Sequence, residues 1–205
     1  MKKFLLFSLL LTIVTASYAK KSDDGITLLS GSPEVIFEHG KFAYVEFDYS
    51  DAQVVEKKDS YSLDDYLDIK DEKYRNDWSE VAKKAEANFI ESFNCESEGK
   101  TIRIISNKSK AKYKIVVHIK EMSFGKLNVA KMILINKQTD SKLTSEIEII
   151  DLATNDVVCK YSAKNVKGQS SLYKGYSETS RICSCFAETG GNLVEQAEDD
   201  VKHKK

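Results

Sequence analysis

What this sequence lacks first is any signature of catalysis. G-x-S-x-G and H-E-x-x-H are absent, and no P-loop or dinucleotide-type glycine pattern occurs. No local arrangement therefore prepares a serine nucleophile, a zinc-bound water or a phosphate cradle. Histidine is scarce: His39, His118 and His203 stand far apart, and the cysteines do not follow zinc-ligand spacing. Charge of one sign is missing too. The 31 Lys+Arg against 32 Asp+Glu leave a formal net charge of −1, without the basic excess that nucleic acids or anionic membranes select. Proline occurs once, at Pro33. The N-terminal apolar run, residues 4–14, holds eleven residues broken only by Ser8 and Thr12, well short of the roughly 20 that a spanning helix needs.

That run lies between Lys2-Lys3 and Ser17-Tyr18-Ala19. A basic start, an apolar middle and a small-x-small end are the pattern of a signal peptide over residues 1–19. Cleavage after Ala19 would leave 29 Lys+Arg against 32 Asp+Glu, a net charge of −3. No cysteine at the cleavage point offers a lipid anchor. The mature chain is therefore expected to be periplasmic or secreted, with no transmembrane segment. Disulfides are permitted there, and Cys95, Cys159, Cys183 and Cys185 allow three full pairings. Cys183 and Cys185 are two apart on an expected helix and point to different sides, so a bridge would join one of them to Cys95 or Cys159. Small buried thiols that stay reduced are an equal expectation.

What is present is alternation. Tyr113, Ile115, Val117 and Ile119 interleave with Lys112, Lys114, Val116, His118 and Lys120, the period of a strand with one buried face. Leu143, Ile147 and Ile149 alternate with Thr144, Glu146 and Glu148. After the Asp- and Asn-rich residues 151–156, β character resumes from Val157 to Ala163, so the pair reads as a hairpin. Upstream, Ala43, Val45, Phe47 and Tyr49 alternate with Phe42, Tyr44, Glu46 and Asp48, and Thr101 to Ile105 forms a short strand. Trp78, Val81, Ala82, Ala85, Phe89 and Phe93 make the stripe of an amphipathic helix that Asn76 or Asp77 can cap. From Thr179, Ile182, Phe186, Leu193, Ala197 and Val201 make a second stripe. Gly190-Gly191 interrupts it at about 1 kcal/mol per glycine relative to alanine, which suggests a close backbone approach. A strand, a helix and a strand in that order imply a βαβ crossover with two parallel strands adjacent or one apart.

These elements predict an α+β fold, a two-layer α/β sandwich. It has a mixed sheet of about five strands in the order β-α-β-β-β-β-α, with both helices on one face. Residues 20–40 read as an arm or small edge hairpin, and residues 41–205 as one domain. Residues 50–73 form a long acidic connection, packed loop or short helix, whose Asp64, Asp65, Asp68, Asp71 and Glu72 are more simply a solvated face than a cation site. Residues 151–156 are spaced like the start of a calcium loop but put Asp156 where glycine and Ser162 where glutamate belong; a turn explains them better. Asn107-Lys108-Ser109 matches a glycosylation acceptor. His118 lies on the lysine-bearing side of its strand and gains interest only beside a carboxylate.

Residues 111–117, the hairpin over 146–158 and the closing glycine-bearing helix together resemble a broad group of bacterial envelope domains. Among these are the amino-terminal domain of the Tol-Pal propeller protein, the periplasmic domain of the curli secretion channel and lipoprotein activators of penicillin-binding proteins. Asn155 stands where their hairpin usually has glycine, a tolerable exchange at a left-handed position. The resemblance covers roughly residues 42–201 and implies a non-enzymatic adaptor with an envelope protein as partner. No catalytic residue, cofactor site or metal site is assigned, and no nucleic-acid partner is expected. The contact regions would be the exposed sheet face, carrying Lys112, Lys114, His118, Glu146 and Glu148, and the loops 124–138 and 168–176. The alternative is a small-molecule binder or hydrolase with a cleft beside the 50–73 connection.

Overall fold

Side chains that alternate must choose a side, and here the choice builds one mixed sheet with helices on its apolar face. The computed structural model describes residues 24–96, 99–125, 140–168 and 177–203. The strands are β1 (Gly25–Gly31), β2 (Phe42–Asp48), β3 (Gln53–Glu56), β4 (Asp59–Ser62), β5 (Arg103–Ile104), β6 (Tyr113–Ser123), β7 (Lys142–Asp151) and β8 (Asp156–Lys167). The helices are α1 (Leu63–Ile69), α2 (Glu72–Glu96) and α3 (Glu178–His203), with 3-10 turns at Pro33–Phe37 and Lys108–Lys110. The class is α+β as expected, but the sheet has eight strands among the described residues rather than about five.

The additional strands come from segments whose pattern is weak. Gly25–Gly31 pairs antiparallel with β8, with a bulge at Leu29. Part of the 50–73 connection folds as the β3–β4 hairpin and α1. Lys57, at φ +63, turns that hairpin. The element order is accordingly longer than β-α-β-β-β-β-α. The sheet order is β1-β8-β7-β6-β2-β5, with β3 continuing beyond β2 on the same edge of β6. β2 and β5 are parallel neighbours across the crossover, Phe42 opposite Arg103 and Ala43 opposite Ile104. β7 and β8 form the expected hairpin, and Asn155 at φ +61 occupies the left-handed position of its turn.

The core lies between the sheet and α2 and α3. Tyr113, Ile115, Val117 and Ile119 from β6, Ile147 and Ile149 from β7, and Cys159, Tyr161 and Ala163 from β8 are buried against Phe89 and Phe93 of α2 and Ile182, Phe186 and Leu193 of α3. Phe47 of β2 touches both helices, edge-on to Phe89 at 5.5 Å and tilted against Phe186 at 5.9 Å between ring centroids. Burial of each large apolar side chain contributes about 1.5–3 kcal/mol. Gly190 is buried where the two helices cross: a Cβ there would lie 2.4 Å from the Phe89 carbonyl oxygen. A smaller aromatic cluster holds α1 down. Tyr66 stacks on Phe124 at 5.6 Å, Phe124 meets Trp78 edge-on at 6.2 Å, and Trp78 meets Tyr49 at 6.4 Å.

The residues expected to form the signal peptide lie outside the described residues, as do 126–138 of the first expected contact loop and 169–176 of the second. No described helix is long and apolar enough to cross a membrane.

Candidate interaction surface

The sheet register sorts the outward side chains into rows. Asp48 of β2, His118 of β6, Glu146 of β7, Ser162 of β8 and Thr27 of β1 form one row. Glu46, Val116, Glu148, Lys160 and Ser30 form the next. Facing positions on neighbouring strands bring Cβ atoms within about 5 Å, which here sets Asp48 and Glu146 on either side of His118 and Glu148 beside Lys160.

His118 has a carboxylate at each ring nitrogen, Asp48 Oδ2 at 2.9 Å from Nδ1 and Glu148 Oε2 at 3.7 Å from Nε2. This is the arrangement that the sequence left open for it, and it comes from three different strands. Lys160 Nζ lies 2.9 Å from Glu146 and 3.0 Å from Glu148. Glu46 takes both Lys114 and Lys108 at 2.6 Å. Lys112 meets Glu38 at 2.7 Å, and the Tyr113 hydroxyl donates to the same carboxylate at 2.7 Å. Of the five face residues expected as contacts, His118, Glu146 and Glu148 join one network and Lys114 a neighbouring one. Lys112 stands at the far end. Asp48, Glu46 and Lys160 belong with them and were not singled out from the sequence. Their alternation was visible, but the strand register that makes them neighbours was not.

The network depresses its carboxylates. Asp48 is held at about 2 by Ser50, whose amide donates at 3.0 Å and whose hydroxyl also bonds it, and then by His118. Hydrogen bonds from Lys108 and Lys114 lower Glu46, those from Lys112 and Tyr113 lower Glu38, and that from Lys160 lowers Glu146. Each of these carboxylates gives up its proton more readily than an unpaired one.

Asp48 fixes the Nδ1 side of the His118 ring, while Glu148 stands 3.7 Å from Nε2, beyond hydrogen-bond reach. The four thiols form no disulfide. Cys159, Cys183 and Cys185 are buried and Cys95 is exposed. Burial pushes the Cys185 thiol up to about 11 and also raises Cys183, so neither is an activated nucleophile. In the acidic connection, Arg75 pairs with Asp68 at 2.6 Å and Asp64 at 3.8 Å. No group of His, Cys, Asp and Glu among the described residues is placed to hold a metal ion. A cavity of about 240 Å³ opens between the C-terminal ends of α2 and α3, lined by Phe37, Glu96, Val194, Val201 and Lys202 among others. It lies away from the 50–73 connection, and its volume is below the usual range of about 300–1,000 Å³ for ligand sites.

No protein-family model and no curated protein matches the chain. Among solved structures, the PelC dodecamer from Paraburkholderia phytofirmans is 16% identical, covers 82% of this chain and 97% of its own, and has a TM-score of 0.42. A DUF330 protein from Xanthomonas campestris is 8% identical, covers 85% and 94%, and has a TM-score of 0.38. Scores below 0.5 at such identities carry no argument about what this chain does.

Proposed function

We propose that this chain is a non-enzymatic interaction module of the bacterial cell envelope that binds another envelope protein through the outer face of its sheet. The observation that carries the reading is the charge mosaic centred on His118. It is a broad face of alternating, mutually paired side chains on a rigid sheet whose other face is sealed by α2 and α3. Paired charges of this kind contribute little to stability, about 0–1 kcal/mol each. They do fix a pattern of potential that a complementary surface can read, which gives specificity more than affinity. The resemblance of the hairpin and the closing helix to envelope adaptor domains supports the setting, and so does the signal-like start of the sequence.

The test compares capture by the native protein with capture by a face variant, Glu148→Lys combined with Lys160→Glu, which keeps the pair but inverts its polarity. Cross-linked envelope fractions should yield a protein partner with the native chain and lose it, at least about tenfold, with the inverted one. Identical recovery by both chains, or turnover of a small-molecule substrate by the native chain, would remove the proposal.

A further inference from the structure

Five large apolar side chains among the described residues are exposed: Leu29, Phe42, Ile69, Leu152 and Val157. Four of them gather at two places. Phe42, Leu152 and Val157, at 36%, 38% and 49% exposure, share one end of the outer sheet face. The Phe42 carbonyl accepts from the Lys112 amide at 2.8 Å, the Lys112 carbonyl accepts from the Leu152 amide at 3.0 Å, and Val157 pairs with Ile150 in the next row. Half-buried Tyr44 and Ile150 lie behind them. Cations surround this patch. Arg103 stands beside Phe42 across the β2–β5 pair, Lys41 precedes β2 and acts on the Glu38 carboxylate, and Lys110 precedes β6. Lys108, Lys112 and Lys114 are shared with Glu46 and Glu38. The nearby acids are these two glutamates together with Asp151 and Asp156 of the hairpin, and Asp151 accepts a turn amide from Ala153 at 2.8 Å.

Ile69, the fourth, is 64% exposed at the end of α1. It stands in a segment that also holds Asp64, Asp65, Asp68, Asp71 and Glu72. Even with Arg75 on Asp68 and Asp64, the 63–72 segment carries these five acids against one lysine, Lys70, which lies over the Tyr66 ring at 4.9 Å. One patch is apolar with a basic rim and the other apolar with an acidic rim. They also lie at opposite ends of β6. The first flanks Lys112 and Lys114, while the second is anchored by Tyr66 on Phe124, just past Ser123. At about 3.3 Å per residue the separation is roughly 30 Å, so the two patches of one chain cannot cover each other.

We propose that copies of this chain associate head to tail, the Phe42–Leu152–Val157 end of one sheet receiving the Ile69 knuckle of the next copy. The proposal rests on the reading of the outer face as an interaction surface and names a second copy as the occupant of its apolar end. Exposed apolar patches rimmed by polar groups mark association sites. Two different patches that complement each other make a heterologous contact, which closes into a ring or extends as a filament.

Sedimentation of the native protein should show mass rising with concentration, with weaker association at high salt because the rims are charged. Phe42→Ser with Leu152→Ser removes the receiving patch, and Ile69→Lys removes the inserting one. Ile69 is mostly exposed while Phe42 and Leu152 are more than half covered, so circular dichroism and the unfolding midpoint establish that each variant is folded before its assembly is read. Each variant alone should be monomeric. Mixed in equal amounts they should form one-to-one dimers that grow no further, because each supplies the patch the other lacks. Arg103→Glu should weaken native assembly at least about tenfold. A native protein that stays monomeric, variants that assemble as the native chain does, or a mixture that fails to dimerise would each overturn the proposal. So would binding of a monomeric native chain to vesicles of anionic phospholipid that Phe42→Ser abolishes, since that assigns the basic-rimmed patch to a bilayer. A monomeric native chain that still captures a partner through the His118 mosaic would sink this inference and leave the proposed function standing.

Discussion

Replacing Gly190 with alanine should loosen the contact between α2 and α3, and replacing Gly191 should not. A Cβ at residue 190 would sit 2.4 Å from the Phe89 carbonyl oxygen, 3.1 Å from its carbonyl carbon and 3.3 Å from its Cα. All three are backbone atoms in the middle of a helix and cannot swing aside. A normal carbon-to-oxygen approach is about 3.3 Å, so the helices must part by about 1 Å. A gap of that size forfeits a quarter to a half of the dispersion attraction across it. Overpacking of this kind costs about 1–3 kcal/mol, with the upper end expected against rigid backbone. Alanine in a helix returns about 1 kcal/mol, which leaves a net loss of about 2 kcal/mol. At residue 191 the new methyl meets only the Ser92 hydroxyl, at 3.0 Å. That oxygen can rotate away, so the propensity gain dominates and the variant should equal or exceed the native protein by up to about 1 kcal/mol. Urea unfolding followed by the fluorescence of Trp78, the single tryptophan, and by far-ultraviolet dichroism reads both values. A Gly190→Ala protein as stable as Gly191→Ala would refute the close-approach argument.

The outer-face carboxylates set an acid limit. Asp48 is lowered from 3.8 to about 2, and Glu38, Glu46 and Glu146 lie below 4.5. Each binds its proton more weakly folded than unfolded, so their stabilisation is complete above about pH 4.5 and drains away as pH falls towards 2. All four are partly exposed, and screening limits each to a few tenths of a kcal/mol. Burial raises Glu86, against a hydrogen bond donated by Tyr49 at 3.2 Å, so its contribution has the opposite sign. Unfolding midpoints between pH 2 and 6 should fall on the acid side, and Glu86→Gln should steepen that fall. A flat profile would contradict the depressed values. For the thiols, a water-soluble disulfide reagent should modify Cys95 in the native state and reach Cys159, Cys183 and Cys185 only on unfolding; rapid native modification of more than one thiol would show that the three are not shielded.

How much of this was legible in the residues varies with the range of the interaction. The β6 alternation, the β7–β8 hairpin with its left-handed Asn155 and the two helical stripes follow from periodicities that repeat within a few neighbours, and each appears where its pattern stands. The β1 edge was legible only as an arm or small edge hairpin, and the β3–β4 hairpin only as a packed loop or short helix. Their few alternating residues are held by partners far along the chain, Gly25–Gly31 against β8 and Gln53–Val54 against Glu121–Met122. The candidate surface divides in the same way. That Lys112, Lys114, His118, Glu146 and Glu148 point outward follows from period two, whereas the Asp48–His118–Glu148 contact depends on which strands pair and in what register.

The order of the residues alone determined a layered α+β body, and their summed charge a near-neutral surface, because hydrophobic periodicity and net charge are read along the chain without any contact between distant residues. Only the tertiary structure decided where that charge collects, the acids about Ile69 at one end of β6 and a group of cations about Phe42 at the other. A sum over the chain erases position, and position in three dimensions is set by strand register and by helix packing on one face of the sheet.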